Sequence, residues 1–146
     1  MIRVLATIAH SPYASAYATQ TANLAAWTTH LITSAFAQSL TDGFLPNEYD
    51  VAMSATFSDG SSTALLTSVA YRLATLGHIP KTGGLIAKAE ELRLAVEKGI
   101  GNDGWLTPVV KPRLYKAPFV AGKNNPQSGA FVLLMEAAWK DWKATF

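Results

Sequence analysis

The chain of 146 residues contains no cysteine, which excludes disulfide bonds and thiolate chemistry. Charge is also scarce, since Asp, Glu, Lys and Arg make up 15% of the residues and the formal net charge is only +2. The densest basic segment is Lys111-Pro112-Arg113 with Lys116, which is more typical of a solvated loop than of a nucleic-acid-binding patch. We therefore expect no nucleic-acid partner.

Several further sequence signals are missing. No run of about 18 apolar residues occurs, so membrane insertion is not expected. The N-terminal segment Ile2–Ala9 has one basic residue and a short apolar run, which is a weak signal peptide and is better interpreted as a short helix. Walker, dinucleotide-binding and Gly-x-Ser-x-Gly patterns are absent. The three histidines stand far apart in the sequence, so neither a metal site nor a cofactor is predicted.

What the chain does contain is typical of one folded helical domain. A hydrophobic fraction of 49% is enough for a sizeable core, and we predict a single domain over residues 1–146. Apolar residues recur at helical spacing in four segments, and the N-terminal segment is a fifth, shorter candidate. The four segments are residues 24–35, 61–76, 85–98 and the chain from about residue 127 onward. The sequence thus predicts an all-α fold of antiparallel helical hairpins, with a Gly/Pro-rich loop or small hairpin at about 99–126.

The first long helix lacks charge altogether, because no Asp, Glu, Lys or Arg occurs between Arg3 and Asp42. Its apolar stripe consists of Leu24, Trp27, Leu31 and Ala35. A surface helix normally carries charge on its outer face. This helix is therefore expected to pack on more than one side, inside a helical layer or at an oligomer interface. The alternative is an ordinary Ala/Thr-rich helix with an uncharged polar face.

The later helices show more familiar patterns. The segment Asp59-Gly60-Ser61-Ser62 offers a helix N-cap. The predicted inward stripe of the helix at 61–76 is Leu65, Val69, Leu73 and Leu76, and that of the helix at 85–98 is Leu85, Ala89, Leu92 and Val96. The solvent-facing residues of the helix at 85–98 are predicted to be Lys88, Glu90, Glu91, Arg93 and Glu97. The predicted core stripe of the last helix is Phe131, Leu134, Met135, Ala138 and Trp142.

Three segments in this order resemble the last turns of fungal six-hairpin glycosidases. They are Asp59-Gly60-Ser61-Ser62-Thr63-Ala64-Leu65-Leu66, Asn102-Asp103-Gly104-Trp105-Leu106 and Asn125-Pro126-Gln127-Ser128-Gly129-Ala130-Phe131-Val132-Leu133-Leu134. That group is similar to the unsaturated glucuronyl and rhamnogalacturonyl hydrolases of glycoside hydrolase families 88 and 105. The resemblance covers about residues 58–143. It implies an α/α fold formed from part of a toroid, or a compact helical bundle, and a secreted protein.

The resemblance also implies two candidate catalytic residues. Asp59 corresponds to the family's Asp before the Ser/Ala-rich helix, near the substrate end of the toroid, although a helix cap is the alternative role. Asp103 is the second acid/base candidate, although Asn-Asp-Gly is also a turn signal. The family's proton-donating Asp lies in an earlier hairpin, and this chain has no equivalent of that motif.

Substrate contacts are predicted for Trp105, Tyr115 and Gln127. For Trp105, and for Tyr115 and Phe119 in the same loop, the alternative role is an aromatic anchor that packs the loop onto the helices. In the fungal family the segment at 126–131 reads Pro-Glu-Gly-Gln-Ala-Phe, whereas here it reads Pro-Gln-Ser-Gly-Ala-Phe. The carboxylate is replaced by the amide of Gln127, while the apolar positions that pack the helix are retained. This departure suggests that the fold has been retained while the catalytic activity has been lost.

Two function classes follow. The first is a non-catalytic, secreted binding or immunomodulatory protein of the mushroom type, whose partner is a glycan or a cell-surface receptor. The alternative is a glycoside hydrolase, or a fragment of one, that acts on unsaturated uronic-acid oligosaccharides. A structural protein without a ligand is a third, blander hypothesis. Because a toroid arc cannot close on itself, we also predict a homo-oligomer, most simply a dimer, with Trp27 and Leu31 at the interface.

Overall fold

The computed structural model of the chain describes residues 1–52, 55–111, 114–118 and 125–146, and only the backbone of residues 114–118. The described residues form five helices, α1 (Ile2–Ala9), α2 (Ala18–Phe36), α3 (Gly60–Thr75), α4 (Gly84–Gly99) and α5 (Pro126–Lys143). Two short strands, β1 (Val110–Lys111) and β2 (Leu114–Pro118), pair antiparallel between α4 and α5. The predicted all-α fold is confirmed, with a compact helical bundle and a small hairpin in the Gly/Pro-rich segment.

Helix α3 is the centre of the bundle. It packs mainly against α5 and α4 and, over smaller areas, against α2 and α1. No residue between Gly60 and Thr75 is exposed. Ala64, Ala70 and Ala74 are fully buried, and small side chains of this kind allow neighbouring helices to approach closely.

Helices α3 and α5 run side by side in the same direction. Their first turns line one cleft. At their other ends Arg72 lies 3.5 Å from Asp141, and the rings of Tyr71 and Trp142 are 5.3 Å apart. Helix α4 runs the opposite way, because the segment that follows it returns to the start of α3, where the amide of Gly60 donates to the carbonyl of Pro108 at 2.8 Å. The bundle therefore places two helix N-termini at one end.

The buried face of α3 includes the polar side chains of Thr63 and Ser68, whose hydroxyl groups have hydrogen-bond partners. The hydroxyl of Thr63 donates to the carbonyl of Asp59 at 2.7 Å and accepts from the amide of Leu45 at 2.9 Å. The hydroxyl of Ser68 donates to the carbonyl of Leu65 at 2.6 Å. These bonds remove most of the cost of burying a hydroxyl group. As a result the buried face of α3 differs from the predicted stripe, of which Leu65 is only half-buried.

Arg93 does not face solvent, so its predicted place on the outer face of α4 was wrong. It is 8% exposed, and its guanidinium lies 4.5 Å from the ring centre of Trp139 on α5. Glu90 and Glu97 flank it as ion-pair partners, and Tyr71 donates a hydrogen bond to Glu90. Burial opposes the charged guanidinium, but the two carboxylates outweigh it and raise the pKa of Arg93. This network joins α3, α4 and α5.

Helix α2 lies at the edge of the bundle. Its buried residues are Ala25, Thr28, Ile32, Ala35 and Phe36. By contrast, Trp27 and Leu31 of the predicted stripe are 68% and 45% exposed. None of the described helices has both the length and the apolar character that crossing a membrane would require.

Candidate ligand-binding cleft

A cleft opens where α3 and α5 begin. Its volume is about 370 Å³, within the size range of small-molecule sites. Its walls come from the two helix starts, from the loop before α3 and from β1. The lining residues are Asn47, Asp59, Ser61, Ser62, Leu65, Val110, Lys111, Asn125, Gln127 and Phe131. We call this cavity the helix-start cleft.

The two helices that form the cleft are capped in the same way. The carboxylate of Asp59 accepts from the amides of Ser61 at 3.0 Å and Ser62 at 3.1 Å. The side-chain oxygen of Asn125 accepts from the amides of Gln127 at 3.1 Å and Ser128 at 3.3 Å. The first amides of a helix have no partner within the helix, so such caps stabilise its start. Both oxygens of Asp59 are therefore engaged in a structural role.

Of the predicted site residues, the structure brings Asp59 and Gln127 to the helix-start cleft. Asp103 is absent from the cleft lining and lies on an exposed turn after α4, where it accepts from the amide of Trp105 at 3.1 Å. Tyr115 lies on β2, but its side chain lies outside the described part of the chain, as do Arg113, Lys116 and Phe119. The catalytic roles of Asp59 and Asp103 stay predictions.

Trp105 lines a second groove on the other flank of α5. Its ring lies over Gly129, where an added Cβ would sit 3.9 Å from it. The groove is mostly apolar and includes Leu106, Pro126 and Leu133. Trp105 and Gln127 thus flank the first turns of α5 from different sides. A single ligand that touches both has to pass over the start of that helix.

Tyr49 is a residue near the cleft that the sequence interpretation missed. Burial, and then the negative charge of Asp59, raise the pKa of its phenol to about 12. The phenol therefore stays protonated at neutral pH and is able to donate a hydrogen bond. Its ring is 42% exposed. No motif marks Tyr49, because it stands in an irregular loop that reaches α3 only through the tertiary fold.

The described residues offer no metal site. No three His, Asp or Glu side chains among them lie close enough together to hold a metal ion. His30 and His78, far apart in sequence, do line one shallow groove between α2 and the end of α3. Two imidazoles fall short of the three or four protein ligands that zinc sites usually use.

Comparisons of the chain with protein-family models, with curated proteins and with solved structures gave no match. The resemblance to six-hairpin glycosidases therefore stays a prediction. The chemistry of the helix-start cleft is the structural feature from which a function can be inferred. That cleft combines amide and hydroxyl groups, one aromatic ring and one lysine with a single carboxylate that caps a helix.

Proposed function

We propose that the chain is a non-catalytic carbohydrate-binding protein whose ligand occupies the helix-start cleft. One observation carries the proposal: both oxygens of Asp59, the only carboxylate among the described residues lining the cleft, accept backbone amides of α3. Glycoside hydrolysis normally uses two carboxyl groups placed on either side of the scissile bond. A cleft with one capping carboxylate suits binding better than turnover.

The remaining groups suit a sugar. Ser61 and Gln127 present a hydroxyl and an amide, which are able to donate to and accept from sugar hydroxyls. Phe131 adds an aromatic ring against which the apolar face of a sugar ring can pack. A few polar groups around an apolar wall are the usual make-up of a small-molecule site.

The alternative is a glycoside hydrolase that acts on unsaturated uronic-acid oligosaccharides. Lys111 favours this candidate, because it lines the cleft and an ammonium group is able to pair with a uronate carboxylate. Turnover would require Asp59 to leave its cap or Asp103 to move from its exposed turn into the cleft. The first proposal needs neither movement.

The biological setting is also a proposal. A secreted, immunomodulatory protein of the mushroom type, which recognises a glycan or a cell-surface receptor, would follow from the resemblance at residues 58–143. The cleft supports only the narrower idea of a carbohydrate ligand. A homodimer that uses Trp27 and Leu31 fits their exposure on α2.

The proposal is tested with Gln127→Ala and Asp59→Asn in parallel. Binding is measured by calorimetry with neutral oligosaccharides and with an unsaturated uronic-acid disaccharide, whose consumption is followed on the same samples. Gln127→Ala should weaken binding about 2–10-fold, as expected for one hydrogen bond. Asp59→Asn should bind normally, because Asn also caps helices well.

The matched control is Gln20→Ala, which removes an exposed amide on α2, away from the cleft, and should leave the affinity unchanged. Turnover by the unaltered chain that is abolished in Asp59→Asn would overturn the proposal in favour of the hydrolase. Absence of binding to every glycan tested would overturn both.

A further inference from the structure

The outer face of α2 exposes two large apolar side chains. Trp27 is 68% exposed and Leu31, one helical turn later, is 45% exposed. No Asp, Glu, Lys or Arg occurs between Arg3 and Asp42, so no such charge on α2 itself interrupts this face. Exposed apolar side chains of this size are a feature of interaction surfaces.

A groove of about 610 Å³ lies next to Trp27 on the same helix. Its walls are mostly apolar. One side is α2 itself and the other is formed by the loop before α3 and by α3. The lining residues are His30, Leu31, Ser34, Ala35, Gln38, Tyr49 and Leu66. We call it the α2 groove.

We propose that a second copy of this chain covers this face, with Trp27 of each copy seated in the α2 groove of the other. The reason is self-complementarity: one helix carries both a protruding indole and, a turn further on, a groove for it. A two-fold axis across α2 makes both contacts at once, with the two α2 helices antiparallel. This inference does not depend on the proposed carbohydrate function.

The surroundings of Trp27 favour a second copy over a different partner. Helix α2 carries no Asp, Glu, Lys or Arg with which to select a charged protein or a nucleic acid. Asn23, one helical turn before the indole, and Ala26, directly before it, are both exposed, uncharged and small enough to let a helix approach. A buried tryptophan surrounded by small, neutral contacts is a common arrangement at the centre of an interface.

The size of the face sets the expected strength. Helix α2 has 19 residues, which corresponds to a length of about 28 Å. A patch one helix long is small beside the ~800 Å² per partner of a standard interface. We therefore expect a dimer that dissociates in the micromolar range rather than a permanent one.

Dimerisation should leave the helix-start cleft open. Tyr49 lines the α2 groove, whereas Asn47 and Leu65 line the helix-start cleft, and the two cavities share no lining residue. Association and carbohydrate binding can therefore be measured separately, and one can fail without the other.

Sedimentation over a concentration series, from about 1 to about 500 μM, tests the proposal. The unaltered chain should change from monomer to dimer within this range, and Trp27→Ala should stay monomeric throughout. Leu133→Ala is the matched control, because Leu133 is 71% exposed but lies on α5, and it should dimerise normally. An unaltered chain that is monomeric at all concentrations, or a Trp27→Ala dimer, would overturn the proposal.

The absence of cysteine permits a second, geometric test. Two single-cysteine variants, Asn23→Cys and Gln38→Cys, are mixed under mild oxidation. Antiparallel α2 helices with each Trp27 in the partner's groove bring position 23 of one copy near position 38 of the other. The mixed disulfide should therefore dominate over the two self-pairs, and it should disappear when Trp27→Ala is added. A random mixture of the three products would contradict the arrangement.

Discussion

Helices α2 and α3 are built from similar residues but have opposite environments. Both are rich in Ala, Thr and Ser; α2 has no charged residue, and α3 has only Arg72. Yet α3 has no exposed residue, whereas α2 exposes Trp27 and Leu31. A helix with few charged residues is thus expected to be contacted on more than one side. The scarcity of charge does not show whether the contacting surface belongs to the same chain or to another molecule. For α3 the contacts come from the same chain, and for α2 we propose that they come from a second copy.

The largest difference between the two helices should be the loss in free energy of unfolding when a leucine is replaced by alanine. Leu73 of α3 is fully buried, so Leu73→Ala should lower the free energy of unfolding by about 2–5 kcal/mol. Leu31→Ala on α2 should change it by less than about 0.5 kcal/mol at concentrations where the chain is monomeric. Urea denaturation at low micromolar concentration measures both. Equal losses would mean that α2 is buried within one chain.

A smaller loss in the free energy of unfolding is expected when the hydrogen-bond network that joins α3 to α4 is disrupted. Tyr71→Phe removes the hydrogen bond that Tyr71 donates to Glu90, beside the buried Arg93. Hydrogen bonds to charged groups contribute about 1.5–3 kcal/mol, and Tyr71→Phe should cost a comparable amount at neutral pH. The conservative control is Tyr49→Phe, whose ring is partly exposed and should cost less. A neutral Tyr71→Phe would show that the network is not needed.

The same two tyrosines give the chain an alkaline limit. The pKa of Tyr49 is raised to about 12, and the pKa of Tyr71 is raised further, chiefly by burial and then by Glu90. Above pH 10 the unfolded chain loses these protons while the folded chain keeps them, so stability should fall from pH 10 toward pH 12. The fall should be shallower in the Tyr49→Phe/Tyr71→Phe double variant. The lysines, which also titrate in this pH range, are the same in both proteins. An identical dependence of stability on pH in the two proteins would therefore contradict the raised pKa values of Tyr49 and Tyr71.

The smallest effects should come from the helix caps. Asp59→Ala removes two accepted hydrogen bonds at the start of α3 and should cost about 0.5–2 kcal/mol, whereas Asp59→Asn should be nearly neutral. Asn125→Ala at the start of α5 is the parallel case. Thermal unfolding measures all three. A stabilising Asp59→Ala would contradict the capping role and would favour a functional one, because functional residues are often held at a cost in stability.

The sequence predicts the helices well but their faces less well. Periodicity locates α3 and α4 to within a residue or so, because apolar spacing persists over several turns. The observed buried faces differ from the predicted ones where polar residues are buried. Thr63 and Ser68 are buried because their own helix satisfies their hydroxyls, and Arg93 is buried because it packs on Trp139 between two carboxylates. Hydropathy alone cannot anticipate hydroxyl groups that bond to the backbone of their own helix or a guanidinium that packs on another helix.

Only those features of the candidate cleft that depend on neighbouring residues can be predicted from the sequence. The capping position of Asp59 is visible in the sequence, because an N-cap is defined by its next three residues. The meeting of Asp59 with Gln127 depends on the parallel packing of α3 and α5, and the place of Tyr49 depends on a loop. The separation of Trp105 from Gln127 likewise follows only from the fold, since they flank opposite sides of α5.

Hydrogen–deuterium exchange at two protein concentrations, one below and one above the dimer midpoint, compares the two helices in one experiment. Amides of α3 should be strongly protected at both concentrations, because α3 opens only with the whole bundle. Amides of α2 between residues 22 and 36 should gain protection at the higher concentration in the unaltered chain, but not in Trp27→Ala. Protection of α2 that is the same at both concentrations would contradict a face covered by a second copy.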